Sequence, residues 1–261
     1  MGKRILTTVI GIPILVFFLL MGSVYLKTAL LVVSLIGLHE FYQCLNRIQH
    51  NPMAWVGYLF TIASFFVLFQ ENAPIYLFSM LALFTLFLTS MWVLLYKETD
   101  FRLVAITFMG FLYVPVLIFH IGLIQQTHFV NGIWLVFIIS WASDSAAYFA
   151  GHLWGHKKLS PQISPKKTVE GAMGGLFGGF LGCIVFGLIF SPDKMIPLAI
   201  LGISGSFIAQ IGDLVASLIK RNAKIKDFGR LFPGHGGVLD RFDSILFTAP
   251  YVYAYILIIL V

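Results

Sequence analysis

Charge is what this 261-residue chain has least of. Asp, Glu, Lys and Arg make up 11% of it, against roughly 25% in a soluble domain. Hydrophobic residues make up 59%, more apolar surface than a water-soluble particle of this length can bury. A soluble globular domain is therefore excluded, and the bilayer must be the solvent. Cysteine is nearly absent as well. Cys44 and Cys183 both lie in apolar stretches, which excludes a disulfide framework or a cysteine-built metal site. No repeat of fixed period is present. The net charge of +6 might suggest nucleic acid, but the positions of the basic residues point to a membrane surface, so no nucleic-acid partner is expected.

Apolar runs are what the chain has in abundance. A spanning helix needs about 20 mostly apolar residues, and nine windows qualify: 5–22, 24–44, 53–70, 74–96, 103–124, 130–150, 171–190, 195–217 and 242–261. Lys3-Arg4 followed by the run from Ile5 to Met21 has the look of a secretory leader. Its length and the lack of a clean small-residue cleavage site mark it instead as a first spanning helix. With the N-terminus cytoplasmic, 15 of the 17 basic residues fall on the cytoplasmic side, leaving only Lys27 and Lys194 opposite. This follows the positive-inside bias. The expected fold is all-α: a polytopic integral membrane protein of about nine transmembrane helices. About five spans form an N-terminal region, 1–124, and a C-terminal catalytic region, 125–261, carries two cytoplasmic polar segments, 151–170 and 218–241. Those two segments hold 10 of the 17 basic residues, so chemistry is expected there.

Acidic residues number only eleven, and a carboxylate within a membrane helix costs a few kcal/mol unless it faces inward with a partner. Asp144 and Asp213 sit near the cytoplasmic ends of two expected spans, and Glu40 ends another without a surrounding motif. Asp213, Ser217 and Lys220 stand at i, i+4 and i+7, on one helix face. Asp240 and Asp243, at i and i+3, follow a turn containing Pro233, Gly234, His235, Gly236 and Gly237. Carboxylate pairs among Lys and Arg suit a divalent cation holding phosphates, since Mg²⁺ prefers a few carboxylates plus substrate oxygens. The glycines permit positive φ and close backbone approach, as a phosphate-cradling loop needs. His235 is a candidate phosphate contact or proton-transfer group.

In the other polar segment, Ser164-Pro165-Lys166-Lys167-Thr168-Val169-Glu170 leads directly into a helix. Helix N-termini favour phosphate, so Ser164, Lys166, Lys167, Thr168 and Glu170 are substrate-binding candidates. Lys157 and Lys158 read as ordinary cytoplasmic loop charges. Glycines at 171/175, 174/178, 175/179 and 178/182 repeat the spacing that lets membrane helices touch closely, a structural feature.

The stretch from Ser217 to Asp243, SLIKRNAKIKDFGRLFPGHGGVLDRFD, closely resembles the signature of the phosphatidate cytidylyltransferases, also called CDP-diglyceride synthases. The serine, Lys-Arg, Lys-Asp, Pro-x-His-Gly-Gly and Asp-Arg-x-Asp elements are in register. The stretches DSAAYFAG from Asp144 and SPKKTVEG from Ser164 are similar to the family too. The likeness is motif-level only in the second half of the chain. It implies transfer of cytidylate from CTP to phosphatidic acid at a bacterial inner membrane, giving CDP-diacylglycerol and pyrophosphate. It also implies Mg²⁺ held by Asp213 and Asp240, and a homodimer. Catalytic expectations then fall on Asp144, Asp213, Lys226, Asp227, Asp240 and Asp243. Lys220, Arg221, Arg241, Ser217, Gly236 and Gly237 join the substrate-binding set. Rival readings are an ion-coupled transporter, a CTP-dependent lipid kinase, and a lipid-binding protein without chemistry.

Overall fold

A computed structural model describes residues 2–95, 100–232, 234 and 236–260. Each of the nine apolar windows is helical over most of its described residues. The helices are α1 Gly2–Met21, α2 Ser23–Asn46, α3 Ala54–Val67, α4 Ala73–Leu94, α5 Phe101–Phe111, α6 Leu117–Ile124, α7 Ile133–Trp154, α8 Val169–Phe190, α9 Met195–Asn222 and α10 Leu239–Tyr255. A π-helical turn at Leu112–Val116, containing Pro115, joins α5 to α6 in one apolar segment. Proline removes a ladder hydrogen bond, and a local π-turn accommodates the loss. Seven of the described helical segments are long and apolar enough to cross a membrane, and Gly11–Met21 and Ala54–Val67 are shorter apolar helices. Large side chains face outward, among them Phe78 at 75% exposure and Ile258 at 79%. In a bilayer such surfaces meet lipid. The chain is a multi-pass, helical membrane protein.

The one departure from helix among the described regular elements is a short antiparallel ribbon, β1 Lys158–Ser160 with β2 Ser164–Thr168, paired Lys158↔Thr168 and Ser160↔Ser164. The sequence predicts no strand in this polar segment.

By contacts the chain divides into two units. The first is Met1–Gln126 with Ala223–Arg241; the second is Thr127–Asn222 with Phe242–Val261. The segment 223–241 thus groups with the N-terminal helices.

In the first unit Val56, Phe84, Leu88, Val104 and Phe111 form a buried cluster joining α3, α4 and α5. Tyr42 of α2 is 1% exposed, lies against Gly57 and Gly110, and donates its hydroxyl to the Thr107 carbonyl at 2.9 Å. The ring fills the space that two side chains would otherwise occupy.

In the second unit α8 is clasped between α7 and α9. Gly174 and Gly178 lie against Ala150 and Ala146 of α7, while Gly175 and Gly179 lie against Gln210 and Ser206 of α9. A Cβ at Gly178 would stand 2.6 Å from the Ala142 carbonyl oxygen. The glycine spacing read from sequence thus performs the packing expected of it, letting backbones meet without side chains between them.

Candidate active site

The β1–β2 ribbon delivers its chain to the start of α8. Thr168 has extended backbone angles and its Oγ1 accepts from the Gly171 N–H at 3.1 Å, a side-chain N-cap. Both Glu170 carboxylate oxygens accept from the Lys157 N–H, at 3.2 and 3.3 Å. This ties the first turn of α8 to the ribbon's entry. Arg221, at the end of α9, donates its Nε–H to the Ile163 carbonyl at 3.3 Å and holds the ribbon's turn. Three residues expected to bind substrate therefore also shape the element that carries Lys166 and Lys167.

Between the ribbon, α7, α8 and α9 lies a cavity of about 420 Å³. Its walls include Asp144, Lys166, Lys167, Thr168 and Asp213, five residues singled out from sequence. The Lys167 ammonium forms an ion pair with Asp213 Oδ2, and both side chains are about three-quarters buried. Next to this pair is Asp243, whose carboxylate feels the charges of Asp213, Lys220 and Asp144. Ser244 donates its hydroxyl to Asp144 Oδ2 at 3.4 Å. Ser217 and Lys220 are buried on the same α9 helix as Asp213, in the register their spacing implied. The arrangement can hold a cation at Asp213, since an ammonium already sits there, and can receive anions at Lys166 and Lys167. Hard carboxylate oxygens of Asp213, Asp243 and Asp144 fit Mg²⁺ chemically. Among the described residues, no three His, Cys, Asp or Glu side chains form a ready-made metal site, so such an ion would lean on substrate oxygens.

The signature loop belongs to the first unit. Gly234 and Gly236 have φ of +79° and +86°, the left-handed region where glycine is favoured. Gly237 lacks positive φ; there a Cβ would run into the Glu40 carboxylate. The Phe232 N–H donates to the Gly236 carbonyl at 2.9 Å, closing the turn. Asp240 is buried at 6% exposure, and its Oδ2 accepts from the N–H groups of Phe228 at 2.8 Å and Gly237 at 2.9 Å. Lys226, Asp227 and Arg241 are exposed to the surroundings of the loop. His235 lies outside the described residues. The expected metal pair, Asp213 and Asp240, is divided between the two units. The acid that the second unit sets beside Asp213 is Asp243.

Tyr148, Gly151, His152 and Gln210 line the cavity too, and the sequence reading passed over them. Their spacing carries a partial signal. Asp144, Tyr148, Gly151 and His152 stand at i, i+4, i+7 and i+8 on α7, one helix face. Gln210 precedes Asp213 by one turn, and its amide donates to the Ala172 carbonyl at 3.1 Å.

The model of the cytidylyltransferase family matches residues 2–259. A phosphatidate cytidylyltransferase of Bacillus subtilis is 31% identical over 265 residues, 97% of this chain and 96% of that protein. One from Synechocystis is 32% identical, covering 99% and 97%. Another from Staphylococcus haemolyticus is 34% identical, covering 96% of each. With the family model matched from residue 2 to 259 and relatives aligned over nearly their whole length, the chain belongs to the cytidylyltransferase family.

Proposed function

We propose that the chain transfers the cytidylyl group of CTP to phosphatidic acid, releasing pyrophosphate and forming CDP-diacylglycerol. The observation that carries this reading is the cavity where Lys166, Lys167, Asp144 and Asp213 converge beside the capped N-terminus of α8, in a family member whose relatives bear that name.

A phosphate oxygen of phosphatidic acid attacks the α-phosphorus of CTP in line, and the bond to the bridging α–β oxygen breaks as pyrophosphate leaves. The attacking phosphate is already ionised near neutral pH, so no strong general base is needed. Both reactants are anions, and what the protein must supply is positioning and charge neutralisation. Lys166 and Lys167 receive phosphate oxygens. Phosphates arriving at Lys167 would compete with its ion pair to Asp213, leaving that carboxylate available as a ligand. Asp213, with Asp243 and Asp144, would hold Mg²⁺, which supplies charge stabilisation to the phosphates when bound; Asp240 remains an expected ligand. Ser217, Lys220, Arg221, Gly236, Gly237 and Arg241 complete the substrate-binding set.

The bilayer context follows from the substrates. Phosphatidic acid diffuses in lipid and CTP in the cytosol, so the site opens at the cytoplasmic face of a bacterial inner membrane. Nine spans with the N-terminus inside put both polar segments there, and the working form is a homodimer.

The test is incubation of detergent-purified protein with CTP labelled at the α-phosphate, phosphatidic acid and Mg²⁺, followed by lipid extraction. Label should enter a CDP-lipid, require phosphatidic acid and vanish with EDTA. Absence of label in lipid from folded protein overturns the reading.

A further inference from the structure

Glu40 lies on α2, far in sequence from every motif tied to the reaction, yet it is 6% exposed. A carboxylate in a spanning helix needs compensation, and here the compensation is specific. Oε1 accepts from the Val238 N–H at 3.0 Å and Oε2 from the Leu239 N–H at 2.9 Å. Leu239 is the first residue of α10, so both oxygens cap a helix N-terminus, where backbone donors and the helix dipole favour negative charge. Gly229 and Gly237 both lie against this carboxylate, and a Cβ at Gly229 would stand 2.7 Å from its carboxyl carbon and 3.1 Å from the Gly237 Cα. The two strands of the signature loop close over Glu40 because neither carries a side chain there.

Asp240 fastens the same loop from the other direction, through the Phe228 and Gly237 N–H groups. Between them the two carboxylates hold the backbone donors of Gly237, Val238 and Leu239 in succession, with Phe228 as the fourth. Of these two anchors only Glu40 comes from outside the segment.

The geometry assigns Glu40 as a positioning residue for cytidylyl transfer. It sets the loop that carries Gly236, Gly237 and Asp240, and does so without touching substrate. This assignment rests on the proposed function. A loop misplaced by a fraction of an ångström still meets CTP but no longer matches the transition state, so loss of Glu40 should be read in kcat more than in KM.

The experiment compares wild type with Glu40→Gln and Glu40→Ala in detergent, by steady-state kinetics, thermal unfolding and amide hydrogen exchange. Gln keeps one carbonyl acceptor and turns an amide donor toward the other N–H. Glu40→Gln should lower kcat roughly tenfold or more, the scale of one lost charge-assisted hydrogen bond. CTP KM should stay within about threefold, and exchange should accelerate in 228–239 while 133–190 remains as protected as in wild type. Glu40→Ala should go further in the same direction.

Faster exchange in the loop with unchanged kcat would overturn the assignment, as would unchanged exchange. So would exchange that rises equally across 133–190, which makes Glu40 a general folding group. If wild type itself makes no CDP-lipid, the functional reading fails, and the exchange data alone still decide whether Glu40 holds the loop.

Discussion

Replacing Gly179 by Ala asks how much of the cavity's shape depends on the contact of α8 with α9. An alanine Cβ at that position meets the Gly202 carbonyl oxygen at 2.8 Å and Ser206 Cβ at 3.0 Å, and overlaps the Ser206 hydroxyl. The hydroxyl can rotate away, but the Gly202 carbonyl is helix backbone and cannot. The two helices must separate by several tenths of an ångström. Overpacking of this kind costs about 1–3 kcal/mol, and alanine in a helix interior returns about 0.5–1 kcal/mol relative to glycine. The net loss is then on the order of 0.5–2 kcal/mol, a fall of roughly 1–8 °C in unfolding temperature at about 2–4 °C per kcal/mol. Gly11→Ala in α1 is the control, since nothing lies within 4 Å of its added Cβ; it should be neutral or slightly stabilising. Thermal unfolding of both variants in detergent measures the difference. Turnover should fall in Gly179→Ala alone, because Thr168 and Gly171 at the start of α8 and Gln210 and Asp213 on α9 share the cavity wall. Unfolding of Gly179→Ala at or above the wild-type temperature would refute the reasoning.

Lys167→Met keeps most of the side chain's length and removes the ammonium that faces Asp213. Turnover should drop on the order of a hundredfold, the scale of a lost electrostatic contact to a developing charge. Lys158→Met, outside the cavity wall, should stay within about twofold, since an exposed charge contributes little; equal effects in steady-state assays would remove Lys167 from the site. Gly236→Ala places a Cβ at φ +86° and 2.6 Å from Asp240 Oδ2. The left-handed backbone costs about 1–2 kcal/mol for a non-glycine residue, and the shifted carboxylate loses hold of the Phe228 and Gly237 N–H groups. Activity should fall at least about tenfold, the worth of one hydrogen bond to a charged group, with membrane insertion intact. Wild-type turnover in the purified variant would show that the turn tolerates displacement.

Helices in a bilayer announce themselves locally, and for that reason the nine apolar windows correspond to helical segments. Their polar ends were harder to place. Helix α9 continues to Asn222, because Ser217 and Lys220 turn inward toward Asp213 and Asp243 while still being helical. A hydropathy count ends the span at Ser217, before Lys220. The ribbon at 158–168 escaped for the opposite reason: Ser-Pro-Lys-Lys-Thr has little of the β-branched or aromatic content that marks strands. What pairs it is tethering by Glu170 and Arg221. Asp144, Asp213, Lys166 and Lys167 were legible as a group because scarce charges in an apolar chain need a reason to exist. Tyr148, His152 and Gln210 were not, since aromatic and amide side chains are common at membrane interfaces and only the cavity distinguishes these three. Glu40 was beyond reach of any local pattern. Its partners stand 198 and 199 residues away.

That separation has a consequence for how the protein is made. Chains grow at about 5–20 residues per second, so Glu40 is synthesised roughly 10–40 s before Val238 and Leu239. During this interval α2 carries a charged group whose final hydrogen-bond donors do not yet exist, and only water, lipid headgroups or insertion machinery can serve it. The first unit cannot close until residues 223–241 arrive to complete it. A nascent chain stopped short of the signature loop would therefore present an unsatisfied intramembrane acid, a chemical mark by which an incomplete product differs from a finished one.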